Sequence, residues 1–203
     1  MSTLLSMDEN IGNLSTSELG ELFPIRIVDY NPDWPELFLM EKQNIFNILD
    51  EKVISRIEHI GSTAVPGLCA KPTIDILLEI KENTDPDMLI TKLQYMDYKY
   101  ISKPENPPPH MMFAKGYTIK GITGQTFHIH VRYPGDWDEI IFRDFLRENP
   151  EVAREYAQLK RRLSVEFRND REKYTESKTA FIEQTTRYAR KIGQGMRSAP
   201  LHP

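Results

Sequence analysis

The sequence has little cysteine and no long apolar run. Cys69 is the single cysteine among 203 residues, so the chain cannot form an internal disulfide, and no Cys/His spacing of zinc-finger type occurs. No stretch of about 18 apolar residues exists, which argues against a membrane-spanning helix. The first residues lack a basic start followed by an apolar run, so we expect no signal peptide. These absences predict a cytoplasmic protein in a reducing compartment, without a membrane partner.

Basic residues are not in excess either. Lys and Arg total 26 against 30 Asp and Glu, which gives a net charge of −4 and a pI near 5.8. A protein whose main partner is nucleic acid is usually basic, so that class is not expected here, although a local basic pocket is compatible with these totals. A chain of 23.7 kDa with 39% hydrophobic residues is large enough for one domain with a core of its own.

Three segments are distinguished by their patterning. We expect a flexible extension over residues 1–23 with one short helix near Glu18–Phe23, a folded domain over residues 24–192, and a flexible tail over residues 193–203. Within the domain, β-branched and alternating runs predict strands, and apolar residues at helical spacing predict helices, three of them consecutive after Pro134. Strands are predicted at 25–30, 53–60, 73–80, 98–102, 111–119 and 127–133, and helices at 33–50, 85–96, 137–148, 151–168 and 171–191. The predicted fold is α+β, with a mixed sheet of four to five strands, flanking helices and a C-terminal three-helix block.

The stretch HIGSTAVPGLCAKPTIDILLEI, residues 59–80, has an acidic residue in an otherwise apolar strand. A first strand ends at Gly61-Ser62, and after a turn a second strand carries Asp75. Strand alternation places Asp75, Leu77 and Glu79 on one face, and we expect Glu79, near the strand end, to be solvated. An ionised carboxylate in a central strand costs several kcal/mol to bury unless it is paired or binds a cation. Asp75 therefore needs a partner.

The segment FHIHVRY provides candidates for that partner. Alternation puts His128, His130 and Arg132 on one face, with the two imidazoles about 7 Å apart along the strand. If this strand lies beside the strand of Asp75, one pocket holds a carboxylate, two histidines and an arginine, a set that binds a divalent metal or moves protons near neutral pH. Two structural alternatives stay open: Asp75 forms a salt bridge to Arg132 or Lys178, and both histidines are merely solvent-facing.

Several motifs together resemble the GrpB family, which is assigned to the nucleotidyltransferase superfamily. They are GSTAVPGLCAKPTID, HIHV, FRDFLR, NPEVAREYAQLK, and Tyr174 with Lys178 in YTESKTAFI, and the resemblance extends from about residue 25 to residue 189. It implies a nucleotidyltransferase-like fold with a Gly-Ser turn, a following strand with two acids one residue apart, and a third acid on a later strand. In that superfamily the acids hold divalent metals for nucleotidyl transfer.

The match to this pattern is incomplete. Gly61 and Ser62 correspond to the Gly-Ser turn and Asp75 to the first acid, but Leu77 stands at the second acid position. At the later position the strand offers histidine instead of an acid. Mg²⁺ favours oxygen ligands over imidazole, so two-Mg²⁺ catalysis is not the simple expectation.

The candidate site follows from the residues and the resemblance together. The candidate catalytic and metal-binding residues are Asp75, His128 and His130, with Mg²⁺, Mn²⁺ or Zn²⁺ as the metal. The candidates for phosphate or ligand binding are Gly61, Ser62, Thr63, Lys71, Arg132, Tyr174 and Lys178. The alternative for the turn is a helix start capped by Ser62 or Thr63, and the alternative for Lys71 is a solvated turn lysine.

Three functions are compatible with these residues. The first is a protein that binds a nucleotide or another phosphorylated small molecule and catalyses nucleotidyl or phosphoryl transfer. The second is a non-catalytic ligand-binding or partner-assisting domain that kept the fold and lost the second metal-binding acid, which Leu77 favours. The third is metal-assisted phosphoester hydrolysis through the histidines.

Overall fold

The computed structural model describes residues 11–102 and 109–197. Residues 1–10 of the predicted extension, residues 198–203 of the predicted tail and residues 103–108, between two of the predicted strands, lie outside the described residues. The predicted tail begins inside a helix, because the last helix continues through Arg197.

Within the described residues, five strands form one mixed sheet, in agreement with the predicted mixed sheet of four to five strands. The strands are β1 (Ile54–Ile60), β2 (Thr73–Ile80), β3 (Lys99–Ile101), β4 (Met112–Thr118) and β5 (Gly121–Arg132). Their order is β1-β2-β5-β4-β3; β2 and β5 are parallel and the other neighbours are antiparallel. The apolar β2 is therefore an interior strand, with β1 and β5 beside it, and this explains why most of its residues are buried.

The described residues also form six α-helices. They are α1 (Thr16–Leu22), α2 (Trp34–Ile48), α3 (Pro86–Gln94), α4 (Asp138–Glu148), α5 (Pro150–Glu166) and α6 (Arg171–Arg197). The main core joins α2 and α3 to one face of the sheet, where Ile74, Ile76 and Leu78 of β2 point. A second cluster joins α4, α5 and α6. A cleft lies between these three helices and the other face of β2 and β5. Across the described ranges, no helix has the length and apolar character that crossing a bilayer requires.

Two predicted strands differ from the structure. Residues 25–30 form no ladder strand; Val28 makes an isolated bridge to Ala70, and the Ile25 N–H donates to the carbonyl of Arg168 at 2.6 Å. The side chain of Ile25 is instead buried among helical residues, so it is shielded from water without belonging to a sheet. Strand β5 begins at Gly121 and not at residue 127, because it pairs with β4 back to the Thr118–Gly121 turn.

Part of the predicted extension is packed against the domain. The short helix expected there is α1, and its Gly20 lies so close to Asn169 that a Cβ would come within 1.8 Å of the Asn169 carbonyl oxygen. Phe23 is buried and meets the ring of Tyr117 edge-on, with the ring centroids 5.2 Å apart. Arg171 also donates to the Phe23 carbonyl at 3.0 Å. Residues 20–23 thus belong to the same packed body as the sheet.

Candidate functional site

All ten residues singled out from the sequence line one cleft. It has a volume of about 1050 Å³ and lies between the open face of β2 and β5, the Gly-Ser turn, and helices α4, α5 and α6. The residues brought together are Gly61, Ser62, Thr63, Lys71, Asp75, His128, His130, Arg132, Tyr174 and Lys178. The loops and helices that complete the cleft come from distant parts of the chain, so tertiary packing creates it.

Asp75 faces both histidines. The parallel pairing of β2 with β5 sets Asp75 directly opposite His128 in the ladder, and His130 is the next residue on the same face. Oδ1 of Asp75 lies 3.2 Å from Nδ1 of His128 and 3.5 Å from Nε2 of His130. The ion pairs considered for Asp75 from the sequence are not formed, since Arg132 contacts Glu139 at 3.3 Å and Lys178 lies over an aromatic ring.

The pKa values of Asp75 and His128 are both lowered, and the shift of Asp75 favours its ionised form. Burial raises the pKa of the Asp75 carboxyl, but hydrogen bonds from His128 and His130 and their charges outweigh it, so the pKa lies well below its ordinary value. Burial lowers the pKa of His128, an effect that the hydrogen bond and charge of Asp75 offset only in part. The floor of the cleft therefore carries a negative charge beside an imidazole that burial disfavours in its charged form.

Asp75, His128 and His130 fit a single metal ion. One ligand atom from each residue lies within 4.8 Å of the other two. Around a zinc ion with bonds of about 2.0–2.1 Å in tetrahedral geometry, neighbouring ligand atoms are about 3.3 Å apart. The observed separations of 3.2 and 3.5 Å from the Asp75 oxygen match that spacing. The donor set of two imidazole nitrogens and one carboxylate suits a first-row transition metal.

The neighbouring positions on β2 offer no second metal-binding acid. Leu77 is fully buried on the same face as Asp75. Glu79 is buried as well and accepts from Nε of Arg56 at 3.0 Å, so the expectation of a solvated Glu79 is wrong. The reason is that Arg56 of the adjacent strand β1 lies opposite Glu79 in the ladder and provides its counter-charge. Glu79 is therefore committed to this ion pair.

The Gly-Ser turn lies against Asp75. Gly61 has φ +71°, and a Cβ there would come within 2.5 Å of Oδ2 of Asp75. Ser62 begins the short 3₁₀-helix Ser62–Ala64 but does not cap it with its side chain. Thr63 is buried, donates to the carbonyl of Thr73 at 3.3 Å, and lies 3.0 Å from Nε2 of His59. The turn is thus held on the floor of the cleft, with Ser62 facing the helices.

Sequence reasoning missed Lys160, which holds Ser62. Lys160 is 2% exposed on α5, donates to Oγ of Ser62 at 2.9 Å and also to the carbonyl of Cys69, and lies 4.6 Å from the ring centroid of Tyr156. Burial lowers its pKa to about 7, despite the opposing effect of Cys69. A signal was present in the sequence: Tyr156, Lys160 and Leu163 share one helical stripe, and a lysine on an apolar stripe is unusual.

Two more lysines flank Tyr174 on the same wall. Nζ of Lys178 lies 4.2 Å and Nζ of Lys71 lies 5.8 Å from the centroid of the buried Tyr174 ring. Burial lowers the pKa of each lysine to about 8, and for Lys71 the charge of Arg171 adds to this. Among the described residues, no carboxylate forms a salt bridge with Lys71, Lys160 or Lys178. Their ammonium groups are therefore not engaged by an acidic side chain of the described residues.

The chain matches a known protein family over most of its length. The family described as GrpB protein matches residues 24–188. This chain belongs to the GrpB family. It is 39% identical over 181 residues to a UPF0157 protein of Pseudomonas aeruginosa, and the match covers 88% of this chain and 70% of that protein.

A solved structure of the GrpB family agrees with this fold. The crystal structure of the conserved protein GrpB from Enterococcus faecalis superposes with a TM-score of 0.71 at 33% sequence identity, covering 83% of this chain and 99% of that one. A more distant match is the dephospho-CoA kinase of Mycolicibacterium paratuberculosis, 26% identical over 87% of this chain but only 48% of the kinase. The mixed sheet and flanking helices of this GrpB-family chain are consistent with a nucleotidyltransferase-like fold.

Proposed function

We propose that the cleft binds a nucleotide or another phosphorylated small molecule, and that the chain transfers a phosphoryl or nucleotidyl group with a bound divalent metal. One observation carries this proposal: Lys71, Lys160 and Lys178 line the same cleft as Asp75 and its histidines, and none of the three lysines has a carboxylate salt-bridge partner within the part of the chain that the structure describes. Buried cations without counter-charges cost free energy, which an anionic ligand would recover. Lysine is a common ligand of phosphate groups, which it binds as a point charge.

Lys71, Lys160 and Lys178, which we call the lysine wall, supply the phosphate-binding charge. Lys160 keeps Oγ of Ser62 at the cleft surface through their 2.9 Å hydrogen bond, and Lys71 and Lys178 bring two further ammonium groups to the same side. Both of these ammonium groups lie near the ring of Tyr174. The wall would thus neutralise a ligand with more than one phosphate charge and orient it toward Asp75.

Asp75, His128 and His130 would hold the metal, for which their spacing and donor atoms are suitable. When bound, a divalent metal withdraws charge from phosphoryl oxygens and orients them for displacement. Two imidazole ligands favour Zn²⁺ over Mg²⁺, in keeping with Leu77 at the second acid position of the superfamily pattern. The similarity to a dephospho-CoA kinase over much of this chain supports a role in nucleotide chemistry, since that relative is named as a kinase.

Leu77 also favours a second candidate function. The superfamily pattern has two acids on this strand, at the positions of Asp75 and Leu77. Because Leu77 is a fully buried leucine, Asp75 is the one acid at these two positions. A domain that binds a phosphorylated ligand without turning it over would need the lysine wall but not a second acid. This candidate and the first differ in whether product forms.

Calorimetry and turnover assays on the full chain test the proposal. ATP, GTP, CTP and UTP are titrated in turn with Zn²⁺, Mn²⁺ or Mg²⁺, and we expect binding of at least one nucleotide. Lys178→Met should weaken that binding by roughly tenfold, about 1.4 kcal/mol. Lys173→Met is the matched control on α6, because Lys173 is 65% exposed and pairs with Asp170 at the surface.

Each outcome has a distinct meaning. Absence of binding for all four nucleotides with all three metals contradicts the proposed ligand class. Binding with product formation that Asp75→Asn abolishes supports the transferase. Binding without product formation for any acceptor or for water contradicts the transferase and supports the second candidate. An equal loss for Lys178→Met and Lys173→Met contradicts the assigned lysine wall.

A further inference from the structure

The cleft continues past the candidate metal ligands to a second end, which we call the indole end and which is lined by Ile101, His110, Met112, Arg132 and Trp137. Asp75 pairs with His128 in the ladder of β2 and β5, and Arg132 follows His128 by four residues on β5. At about 3.3 Å per residue, the two levels are about 13 Å apart along the strand. Lys71 precedes β2 and so lies on the other side of Asp75. A ligand that contacts both ends would pass beside the candidate metal ligands.

Trp137 is held in a fixed orientation at the indole end. It is half-buried at the start of α4, and its Nε1 donates to the carbonyl of Tyr133 at 3.0 Å. The backbone of Gly135 packs against the ring, because a Cβ on Gly135 would lie 3.0 Å from Cε2 of the indole. The guanidinium of Arg132 lies 5.6 Å from the ring centroid. An aromatic ring that is already fixed loses little conformational freedom when a ligand binds to it.

The other side chains of the indole end are apolar or aromatic. Ile101 of β3 and Met112 of β4 are half-buried and line the cleft. The imidazole of His110 meets the indole of Trp137 edge-on, with the ring centroids 5.6 Å apart and 79° between the ring planes. Ligand sites for flat organic rings typically combine apolar and aromatic walls with a few polar groups. The indole end has that composition.

The two ends of the cleft differ in charge. At the indole end, Arg132 pairs with Glu139 at 3.3 Å. Arg190 pairs with Asp136 at 2.7 Å and with Asp138 at 2.6 Å. These three acids and two arginines leave a surplus of negative charge, whereas the lysine wall has no carboxylate salt-bridge partner among the described residues. This distribution draws an anionic group to the lysine wall and disfavours a second one at the indole end.

We propose that the indole end binds the base of a nucleoside phosphate whose phosphate groups lie on the lysine wall. The proposal rests on the proposed function and narrows its ligand from phosphorylated small molecules in general to nucleotides. Trp137 provides the aromatic surface for the base, and Ile101 and Met112 provide apolar contacts beside it. Every base has a π-face that can contact an aromatic side chain, so this surface accepts more than one base.

Calorimetry on the full chain tests the proposal by comparing ATP, GTP, CTP and UTP with inorganic tripolyphosphate, which has phosphate groups but no base. At the same metal concentration, we expect at least one nucleotide to bind roughly tenfold tighter than tripolyphosphate. Trp137→Leu should remove that advantage and leave the dissociation constant of tripolyphosphate unchanged. Trp137→Phe keeps an aromatic ring and should retain most of the advantage.

Tryptophan fluorescence gives a second measurement. Trp137 shares the chain with one other tryptophan, Trp34, which is 1% exposed in the core on the opposite face of the sheet. A base at the indole end should therefore change the fluorescence of Trp137 and leave that of Trp34 constant. The nucleotide-dependent change should disappear in Trp137→Leu, and tripolyphosphate should cause little change in the wild type.

Tyr95→Leu is the matched control, because Tyr95 is an aromatic residue that is 81% exposed and does not line the cleft. All its affinities should equal those of the wild type. Binding of tripolyphosphate without extra affinity for any nucleotide overturns the base site and leaves the lysine wall supported. Equal weakening of both ligand types in Trp137→Leu, or weakening of neither, also overturns it. Absence of binding by all five ligands contradicts the proposed function together with this inference, so the two failures are distinguishable.

Discussion

The backbone of Gly61 lies so close to the carboxylate of Asp75 that no side chain fits at position 61. A Cβ on Gly61 would lie 2.5 Å from Oδ2 of Asp75, and the backbone there has φ +71° and ψ −170°. That region of backbone conformation is almost exclusive to glycine. Two independent constraints, one of conformation and one of space, therefore act on the first residue of the Gly-Ser turn. The carboxylate and the turn form one unit on the cleft floor.

Gly61→Ala should therefore disturb both the stability and the proposed metal site. The backbone cost alone is about 1–3 kcal/mol, and the close contact should displace the Asp75 carboxylate and weaken Zn²⁺ binding about tenfold. Gly67→Ala is the control, because Gly67 also has positive φ, +76°, but an added Cβ would meet nothing within 4 Å. Urea unfolding and Zn²⁺ calorimetry measure the two effects. Equal Zn²⁺ affinities in both variants would show that the contact with Asp75 does not matter.

Anion binding should weaken as pH rises through the pKa values of the lysine wall. Burial lowers the pKa of Lys71 and of Lys178 to about 8 in the free protein. An anion favours the charged forms, so it binds best below pH 8 and takes up protons on binding. We expect the dissociation constant for ATP to rise at least roughly tenfold from pH 7 to pH 9.

The variant with Lys71→Arg and Lys178→Arg tests the cause of that pH dependence. Guanidinium groups stay charged throughout this range, so the loss of ATP affinity between pH 7 and pH 9 should be smaller than in the wild type. The remaining pH dependence should come from Lys160, whose pKa burial lowers to about 7. Calorimetry in buffers of different ionisation enthalpy measures the proton uptake directly. A wild-type affinity that stays constant up to pH 9 would be evidence against charged lysines as the anion-binding groups.

Lys160→Met should impair ligand binding more than folding. The variant loses the donors to Ser62 and to the Cys69 carbonyl, but it also no longer buries an ammonium group. These effects oppose each other, and we expect the free energy of unfolding to change by less than about 1 kcal/mol. ATP affinity should fall by about tenfold, since a phosphate-facing charge and the hydrogen bond that orients Ser62 are both removed.

Arg162→Met, at an exposed position of the same helix, should leave both quantities unchanged. Denaturant titration and calorimetry on the two variants make the comparison. A large loss of stability in Lys160→Met with unchanged ATP affinity would identify Lys160 as a structural cation only.

The ion pair between Arg56 and Glu79 should contribute to stability because one partner is buried. The side chain of Glu79 is 4% exposed, so Arg56→Met leaves a buried charge unpaired and should cost about 2–3 kcal/mol of unfolding free energy. Arg161→Met breaks an exposed pair with Asp29, whose side chains are 53% and 90% exposed, and should cost less than about 1 kcal/mol. Chemical denaturation compares the two variants. Similar losses would mean that burial of Glu79 does not strengthen its dependence on Arg56.

Local patterning was sufficient for the strand faces and for most elements. Alternation along TIDILLEI and FHIHVRY predicted that Asp75, His128 and His130 leave the core face, and the structure confirms it. Such alternation is a property of a single strand, so the sequence alone contains it. The same local reasoning failed at residues 25–30, whose apolar residues are buried by helices and not by a sheet.

The GrpB resemblance and a mixed sheet of four to five strands could thus be inferred from the sequence by itself, as could the strand face on which Asp75 lies. Only the tertiary structure decided that β5 lies beside β2, that Arg56 neutralises Glu79, and that Lys160 reaches Ser62. The physical reason is the range of the interactions. Side-chain alternation and helix periodicity act within a few residues, whereas strand pairing and the docking of α5 join groups that are 53 and 98 residues apart along the chain.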